Sequence, residues 1–383
     1  MDFPFVLSLL ASLSLAYIIH FQKVALPSKA KLIDGADSTL MYVDANNTIL
    51  RMGFTGTALT QLYAIPCSFD VEQFGVKNYK EERYRNDYYL ASGRNDVMMI
   101  ALTDSIHSST VFSSVEEILD ANTGLNPNKL FVMFFSSPQD YIFKKGKEGA
   151  LETGFVKAFS NPPSAFLAMD NQYIIGLSNG SLYSSKEDAL LPFSHSAFVS
   201  KFYYNATTDD LITGDASGEI LVAYGNNSVG FTLSFSYQEH NCEIITIIVH
   251  GNWIITSDSC GYMVQYYKAK RNLLDKTSHP GRTGNQKVRL SQWMDGDFGV
   301  SAVENQSSVY LYRISDSKTG DELDLQLVAI VGTIASIPTL RVMIKASMPL
   351  LVWLEDFYPY THHLHPYNDG IKLFLLTLHE INK

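Results

Sequence analysis

The chain has 383 residues, of which 46% are hydrophobic and 18% are charged, and its formal net charge is −10. This balance indicates a folded chain with a large core, and it excludes a disordered chain, a collagen, a coiled coil and a polytopic membrane protein. The negative charge argues against nucleic acid as the main ligand, because phosphate binding needs clustered Lys and Arg. The 22 Tyr and 22 Phe residues favour β structure, where aromatic side chains fit a pleated, half-buried surface.

The first element is an apolar run from Phe3 to Phe21. Every odd position in it is apolar and the even positions include Ser8 and His20, which is the period-two pattern of a strand with one buried face. We expect residues 1–22 to supply a strand, with a membrane anchor and a signal peptide as alternatives, since the run approaches a bilayer-spanning length. Asp2 fits a signal peptide poorly, because a basic residue belongs there. For an anchor, the lysines that follow the run would leave the rest of the chain in the cytoplasm.

A short apolar run, a tight polar turn and a second apolar run recur along the rest of the chain. Gly, Asn and Asp at the turns supply the positive-φ positions that tight hairpins require, so each unit predicts a β-hairpin. The predicted hairpins begin near residues 40, 88, 131, 173, 211, 253, 298 and 349. A hairpin every forty-odd residues predicts an all-β fold, a single β-propeller over residues 1–383, because a sandwich or barrel shows strands at closer spacing.

Two of the repeats carry more than a hairpin. The stretches from His195 to Tyr224 and from His240 to Tyr267 each begin with a His and continue through a strand and a gap. Each then has an apolar pair that leads into an Asp turn, in LITGDASGEILVAY and WIITSDSCGYMVQYY. These stretches resemble WD40 repeats, and the remaining repeats match through the hairpin only. The resemblance implies a divergent WD40-like propeller.

The resemblance also implies a structural role for four polar residues. In WD40 repeats the opening His and the turn Asp belong to a hydrogen-bonded network that also uses a Ser or Thr and a Trp. On this chain His195 and His240 would be the opening histidines, and Asp215 and Asp258 the turn aspartates. No repeat ends in Trp-Asp, and other residues replace the family's Gly-His and Trp: Ser194-His195, Glu239-His240, Ala223 and Tyr266.

The blade count follows from the hairpins and from the family. WD40 propellers most often have seven blades, so we prefer seven, with one hairpin as a decoration, and keep eight as the alternative. If the N-terminal run is a strand, we expect it to complete the sheet of the C-terminal hairpin. That pairing would join the ends of the ring and leave few open edges.

No sequence motif for catalysis stands out. The sequence has no Gly-rich phosphate loop, GxSxG, HExxH or EF-hand loop, so we predict no catalytic residue and no cofactor. His362, His363 and His365 lie in the aromatic stretch 355–370, where three imidazoles could bind a transition metal. No companion ligand can be identified, so we predict an exposed loop and no metal.

Cysteines and glycosylation triplets point to different compartments. Cys67, Cys242 and Cys260 are odd in number and widely spaced, which predicts reduced thiols inside the cell. Five N-x-S/T triplets, which weakly favour a lumenal protein, begin at Asn46, Asn179, Asn205, Asn226 and Asn305. We expect the cytoplasm or the nucleus, with the endoplasmic reticulum membrane as the alternative.

One basic segment stands out on this acidic chain. Between Tyr267 and Leu290 the only acid is Asp275, and Pro280 and Gly281 lie in the same segment, which predicts an exposed basic loop over 268–289. Such a loop could dock an acidic protein segment, a lipid headgroup or RNA. The candidate partner-binding residues are Lys268, Lys270, Arg271, Lys276, Arg282, Lys287 and Arg289.

These patterns favour a non-catalytic scaffold for protein–protein interactions, a subunit of a larger intracellular assembly with other proteins as partners. The first alternative is a propeller of the secretory pathway or one attached to a membrane through residues 3–21. The second is a propeller hydrolase, which would need acids or histidines that converge at a central funnel.

Overall fold

A computed structural model describes the following residues: 17–24, 28, 30–36, 39–55, 58–75, 88–101, 109–114, 117–122, 130–135, 140–147, 150–169, 172–205, 208–226, 230–269, 271–278, 288–292, 298–303, 308–316, 323–332, 339–345, 348–355 and 372–380. These residues form thirty-two β-strands in eight four-stranded sheets, and no helix occurs among them. Among these described residues there is accordingly no helix with the length and hydropathy that a bilayer crossing requires.

The strands of the first half of the chain are β1 (Tyr17–Val24), β2 (Ala30–Ala36), β3 (Thr39–Asp44), β4 (Thr48–Thr55), β5 (Ala58–Pro66), β6 (Gln73–Gly75), β7 (Tyr88–Ser92), β8 (Asp96–Ala101), β9 (Ser109–Ser113), β10 (Glu117–Asn122), β11 (Leu130–Phe135), β12 (Asp140–Lys147), β13 (Ala150–Ala158), β14 (Pro163–Met169), β15 (Gln172–Leu177), β16 (Ser181–Ser184) and β17 (Ala189–Ser194).

The strands of the second half are β18 (Val199–Asn205), β19 (Asp210–Asp215), β20 (Glu219–Asn226), β21 (Gly230–Gln238), β22 (Ile244–His250), β23 (Trp253–Asp258), β24 (Tyr262–Tyr267), β25 (Asn272–Ser278), β26 (Val288–Gln292), β27 (Phe298–Val303), β28 (Ser308–Asp316), β29 (Leu323–Gly332), β30 (Thr339–Lys345), β31 (Met348–Glu355) and β32 (Lys372–Glu380).

Seven sheets are built from four consecutive strands, and the eighth combines the two ends of the described chain. The consecutive sheets are β2–β5, β6–β9, β10–β13, β14–β17, β18–β21, β22–β25 and β26–β29. The eighth has the order β1-β32-β31-β30. The chain divides into two compact units, one of Met1–Pro66 with Ile248–Lys383 and the other of Cys67–Ile247.

Each predicted hairpin forms the two middle strands of one sheet, from β3 and β4 to β31 and β32. The hairpin predictions are therefore confirmed within the described residues. The described residues form eight four-stranded sheets, whereas we preferred seven blades and kept eight as the alternative; the number of blades stays a prediction.

The burial of the strands explains why the middle hairpins are visible in the sequence. Strands β15, β19 and β23 are buried at every residue, and each contains a short apolar run: Tyr173-Ile174-Ile175, Leu211-Ile212 and Trp253-Ile254-Ile255. Strand β17 alternates between exposed and buried residues, as expected for a strand with one face in solvent. Such a strand gives a weaker sequence signal, since half of its side chains are free to be polar.

Aromatic residues fill the space between successive sheets in the Cys67–Ile247 unit. Phe143 of β12 lies 5.2 Å from Tyr173 of β15 and 6.2 Å from Phe166 of β14, measured between ring centroids. Phe155 of β13 stacks on Tyr183 of β16 at 5.8 Å. A second core cluster joins β14–β17 to β18–β21, with Leu167, Met169, Ile174, Leu182, Val199, Phe202, Leu211 and Leu221 among its members. Burial of these large side chains supplies the main free energy that holds successive sheets together.

A repeated junction brings β14–β17 and the sheet that follows it into close contact. Gly176 of β15 lies against Val199, the first residue of β18, so that a Cβ added at Gly176 would stand 2.5 Å from the Val199 Cβ. Ser164, at a register shift in β14, donates its hydroxyl to the carbonyl oxygens of Gly176 and Val199 at 3.2 and 2.8 Å. The extra residue of a β-bulge thus bridges two sheets.

The same junction recurs one sheet later. Gly214 of β19 lies against Ile244, with 2.8 Å between an added Cβ and the Ile244 Cβ. Ser200, also at a register shift, donates to the carbonyl oxygens of Gly214 and Ile244 at 3.2 and 2.9 Å. Small residues at these two strand positions therefore set how closely the sheets approach.

The end of the N-terminal run forms part of a sheet. Strand β1 pairs antiparallel with β32 from Tyr17↔Glu380 to Val24↔Leu373, so residues 17–21 of the run are strand, paired with the sheet that we expected. Residues 3–16 lie outside the described residues, and the choice between strand, anchor and signal peptide for them stays a prediction.

Candidate functional site: the aspartate turns and the basic segment

Three sheets share one arrangement at the turn between their second and third strands. An aspartate ends the second strand, and its Oδ1 atom accepts the backbone N–H groups two and four residues later. Asp44 accepts the N–H groups of Asn46 and Thr48, both at 2.9 Å. Asp215 accepts those of Ser217 at 2.9 Å and Glu219 at 2.7 Å. Asp258 accepts those of Cys260 at 3.0 Å and Tyr262 at 2.8 Å. This is the turn that Asp favours, because its short side chain replaces missing strand partners.

The third residue after each aspartate has a positive φ: 58° at Asn47, 93° at Gly218 and 90° at Gly261. Asn and Gly adopt this left-handed conformation at the lowest cost. Gly218 is also required sterically, since a Cβ there would lie 2.6 Å from the carbonyl carbon and the Cβ of His240. The turn chemistry that predicted the hairpins therefore also determines the geometry of these turns.

His195 lies beside the Asp215 turn and its side chain is wholly buried. A hydrogen bond of 2.7 Å joins its Nε2 to the hydroxyl of Thr213. Its Nδ1 is 3.5 Å from Oε2 of Glu219 and 3.7 Å from Oδ2 of Asp215. The same Oδ2 atom accepts the N–H of Ala197 at 3.1 Å. The structure thus brings together the His195 and Asp215 that the sequence paired.

Burial determines the charge of this cluster. Desolvation lowers the pKa of His195 to about 4, and the charge of Asp215 opposes the shift. Burial also raises the pKa of Glu219, while the N–H of Ser196 lowers it and the charge of Asp215 raises it further. At neutral pH His195 is therefore a neutral imidazole, which bonds through Nε2 to Thr213 and carries no positive charge.

The three side chains also offer ligand atoms to one another. One atom each of His195, Asp215 and Glu219 lies within 4.8 Å of the other two. The carboxylate of Asp215 already accepts the N–H groups of Ala197, Ser217 and Glu219. A cation would have to compete with these N–H groups for the carboxylate oxygens. The arrangement therefore suits a hydrogen-bonded turn better than a metal centre, and the prediction of no metal is kept.

The second pair is buried in the same way. His240 and Asp258 are both 0% exposed. Thr256 precedes Asp258 by two residues and is also fully buried, as Thr213 is before Asp215. At the positions near the expected Trp, Ala223 and Tyr266 are both buried. The structural role of the four predicted network residues stays a prediction.

Three residues of these turns are not among those predicted from the sequence. Thr213 precedes Asp215 by two positions, so strand alternation could have indicated that the two share a face. Glu219 follows the turn, and no local pattern marks its approach to His195. Asp44 is followed three residues later by Asn47, as Asp215 is followed by Gly218, and both of these residues have a positive φ. That three-residue spacing from Asp to Asn or Gly could have identified Asp44 from the sequence.

The basic segment differs from the predicted loop over 268–289. Residues 272–278 form strand β25, which pairs with β24, and Arg289 lies in β26. An outer strand tolerates charged residues because one of its edges and one face are open, so the charges did not mark a loop here. Lys270, Arg282 and Lys287 lie outside the described residues. Residues 356–371, which include the histidine cluster from His362 to His365, lie outside them as well.

The described cations of this segment are at or near the surface. Arg271 and Lys276 are exposed and Lys268 is half-buried. Arg271 has a positive φ of 52°, and its N–H donates to the carbonyl of Lys268 at 3.3 Å. The ammonium of Lys276 lies 5.7 Å from the ring centroid of Tyr262. Lys268 and Arg271 thus lie on the turn before β25, and Lys276 lies within that strand.

The cysteines correct one expectation. Cys242 and Cys260 are disulfide-bonded, and Cys67 is the free thiol. Burial raises the pKa of Cys67 to about 11, so it is a poor nucleophile at neutral pH. Wide spacing in sequence predicted idle thiols for all three, because spacing does not report which residues the fold brings together.

Comparison with known proteins finds similarity in structure alone. No protein-family model matches the sequence, and no curated protein matches it either. The solved structure of Sqt1 from Saccharomyces cerevisiae superposes with a TM-score of 0.63 at 12% identity, over 93% of this chain and 96% of that chain. The β-propeller domain of Cps50 (Swd1) from Myceliophteria thermophila gives 0.57 at 10% identity, over 94% and 99%. The RRP9 WD40 repeats give 0.50 at 10% identity, over 98% and 100%.

The chain has a WD40-like β-propeller fold. The superpositions establish the fold. Because the identities are only 10–12%, they indicate no particular relative. The resemblance inferred from residues 195–267 is confirmed at the level of the fold, since WD40 propellers are what the whole chain resembles.

Proposed function

We propose that this protein is a non-catalytic scaffold for protein–protein interactions and a subunit of a larger assembly. The observation that carries the proposal is where its ionisable side chains lie. His195 and Asp215 are buried and bonded to residues of a turn, whereas Arg271 and Lys276 are exposed. A WD40-like propeller offers a rigid surface with several separate faces for partners, although the fold does not select them.

The buried histidines argue against catalysis at the network. A general acid or base must reach substrate, and the side chain of His195 has 0% exposure. Its pKa of about 4 also leaves it uncharged, with little basicity, at neutral pH. We therefore propose no catalytic role for the aspartate turns.

The basic segment is the surface that we propose for one partner. The chain carries a net charge of −10, yet Lys268 and Arg271 lie on one turn and Lys276 lies in the strand after it. An acidic segment of another protein complements these charges, and cations at the rim of an interface mainly increase the association rate. Binding through them should weaken as salt rises.

The experiment isolates the full chain with its partners from the cells that make it. The triple variant Lys268→Glu, Arg271→Glu, Lys276→Glu is compared with the wild type by quantitative mass spectrometry. Recovery of at least one stoichiometric partner should fall about tenfold or more, which corresponds to about 1.4 kcal/mol. The affected partner should also elute from the wild type at lower salt than the other partners.

A matched variant reverses three exposed cations elsewhere, Arg94→Glu, Lys186→Glu and Lys201→Glu, and changes the net charge by the same amount. It should retain the partner that the first variant loses. Equal recovery with both variants would remove the basic segment from the proposal. A chain that recovers no stoichiometric protein at all would overturn the scaffold function itself.

A further inference from the structure

We propose that Asn46 and Asn179 carry N-linked glycans and that the chain folds in an oxidising, glycosylating compartment. The proposal does not depend on the scaffold function. It concerns the N-x-S/T triplets, whose presence neither the fold nor the turn network explains. Among the described triplets, the structure separates those with an exposed Asn from one with a buried Asn.

The first accessible triplet lies on the turn between β3 and β4. Asn46 is exposed, and Thr48, which supplies the hydroxyl of the triplet, is half-buried. The backbone N–H groups of both residues donate to Asp44, so the turn keeps its shape through the main chain. The side chain of Asn46 can therefore carry a large substituent without loss of these turn bonds.

The second accessible triplet occupies the corresponding turn between β15 and β16. Asn179 is exposed, and its Oδ1 accepts the N–H of Ser181 at 3.2 Å. That bond engages Oδ1 and not Nδ2, the nitrogen that bears an N-linked sugar. Gly180, at a φ of 86°, provides the positive-φ position of the turn, so the turn presents Asn179 at its outer side while its neighbour Gly180 is buried.

A third triplet serves as an internal contrast. Asn205, at the end of β18, is only 4% exposed, and its Oδ1 accepts the N–H of Thr208 at 3.3 Å. A glycan on this side chain is incompatible with the folded sheet, because an oligosaccharide cannot be buried there. The side chain of Asn226 and the triplet at Asn305 lie outside the described residues.

The cysteines supply the independent observation. Cys242 and Cys260 are disulfide-bonded. Disulfides persist in oxidising compartments, which are the compartments where N-glycans are attached, and thiols are kept reduced in the cytosol. The oxidation state and the two exposed triplets therefore point to the same environment.

Both modifications are balanced reactions, with a lipid-linked oligosaccharide as the sugar donor and a disulfide as the electron acceptor. At each Asn, Nδ2 loses one proton and forms a bond to C1 of an oligosaccharide carried on a polyprenyl diphosphate. The C1–O bond breaks, and the diphosphate leaves with its electron pair. At the cysteines, two thiols lose two protons and two electrons to a disulfide exchange partner, which is reduced to two thiols.

The test uses the full chain isolated from the cells that make it. Digestion with a peptide N-glycosidase, an amidase that hydrolyses the glycosylated Asn side chain, in heavy-oxygen water should convert Asn46 and Asn179 to labelled Asp, and peptide mass spectrometry should find Asn205 unmodified. Alkylation without prior reduction should label Cys67 and leave Cys242 and Cys260 unlabelled. On a gel, the enzyme should remove at least the two steps of mobility that belong to Asn46 and Asn179.

Matched substitutions assign each glycan without removal of the acceptor Asn. Thr48→Ala and Ser181→Ala should each remove one step, whereas Thr48→Ser and Ser181→Thr preserve the triplets and should keep both steps. Absence of a shift on peptide N-glycosidase treatment, a glycan on Asn205 in the folded protein, or alkylation of Cys242 and Cys260 without reduction would each overturn the proposal.

Discussion

At the residue scale, one carboxylate in each of three turns satisfies backbone N–H groups that the hairpins leave without a strand partner. Asp215 accepts the N–H groups of Ala197, Ser217 and Glu219 and the hydroxyl of Ser217. A buried N–H without an acceptor costs about 1–3 kcal/mol, so an aspartate in this place stabilises the turn well beyond its own contacts.

Replacement of Asp215 tests the structural role of the network. Asp215→Ala should lower the free energy of unfolding by about 3 kcal/mol or more, because three N–H groups lose their acceptor. Asp215→Asn keeps one acceptor oxygen and should cost about half as much. The measurement is the urea midpoint, and Ser217→Ala serves as a control with a loss of about 1 kcal/mol or less. An Asp215→Ala variant as stable as the wild type would contradict the role.

The buried imidazole of His195 predicts a pH dependence. Its pKa is about 4 in the folded chain against about 6.5 when unfolded, so the unfolded state binds more protons between these values. The free energy of unfolding should therefore fall as pH decreases below 6.5, by up to about 1.4 kcal/mol per pH unit. The raised pKa of Glu219 works in the opposite direction, since its folded form takes up a proton more readily.

Comparison with His195→Gln isolates this contribution. Urea midpoints measured from pH 7.5 to pH 4.5 should fall less steeply for the variant than for the wild type. Parallel profiles would mean that His195 is protonated in the folded chain as easily as in the unfolded one.

At the element scale, the approach of neighbouring sheets depends on small residues in buried strands. Gly176 and Gly214 each receive the first residue of a strand in the next sheet, Val199 and Ile244. The serine at the bulge beside each glycine bonds to carbonyl oxygens of both sheets. Since protein interiors are close-packed, a single added methyl group at the glycine must displace a strand.

The glycine junctions give a direct packing test. Gly176→Ala and Gly214→Ala should each lower the free energy of unfolding by about 1–3 kcal/mol through overpacking. Gly154→Ala is the matched control in an outer strand, where the added Cβ would lie 3.4 Å from the Tyr173 hydroxyl and 3.6 Å from the nearest backbone oxygen. It should be neutral or slightly stabilising. Thermal or urea denaturation ranks the three, and an equal effect at all positions would contradict the packing explanation.

At the scale of the whole molecule, the pairing of β1 with β32 joins residues that lie more than three hundred positions apart. Such long-range pairing is slow to form and leaves an open strand edge when it is lost. The N-terminal run therefore has a consequence for folding that is separate from any targeting role.

Two deletions distinguish these roles. Removal of residues 1–22 eliminates the first six of the eight β1 pairs, Tyr17↔Glu380 to Gln22↔Leu375, and should cause aggregation or a large loss of stability. Removal of residues 1–16 keeps β1 and should leave the folded state intact. Size-exclusion chromatography and urea denaturation measure both. Normal folding without residues 1–22, with loss of a membrane location, would favour an anchor.

Much of this fold was predictable because middle strands such as β15, β19 and β23 are buried on both faces. Burial favours a short apolar run in each of β15, β19 and β23, and the turns that follow these strands need Asp, Asn or Gly for local backbone reasons. Both signals are confined to about fifteen residues, so the repeat period, the hairpins and the propeller class follow from the sequence. The pairing of His195 with Asp215 came from the resemblance to WD40 repeats.

The tertiary structure alone decided what depends on contacts between distant segments. Strand β25 is charged, and only its pairing with β24 distinguishes it from a loop. No local pattern in the sequence indicates that Cys242 and Cys260 are disulfide-bonded or that Glu219 approaches His195. The same holds for the burial of Asn205 and the exposure of Asn179. Local periodicity records which face of a strand is buried, but it does not record which neighbour buries it.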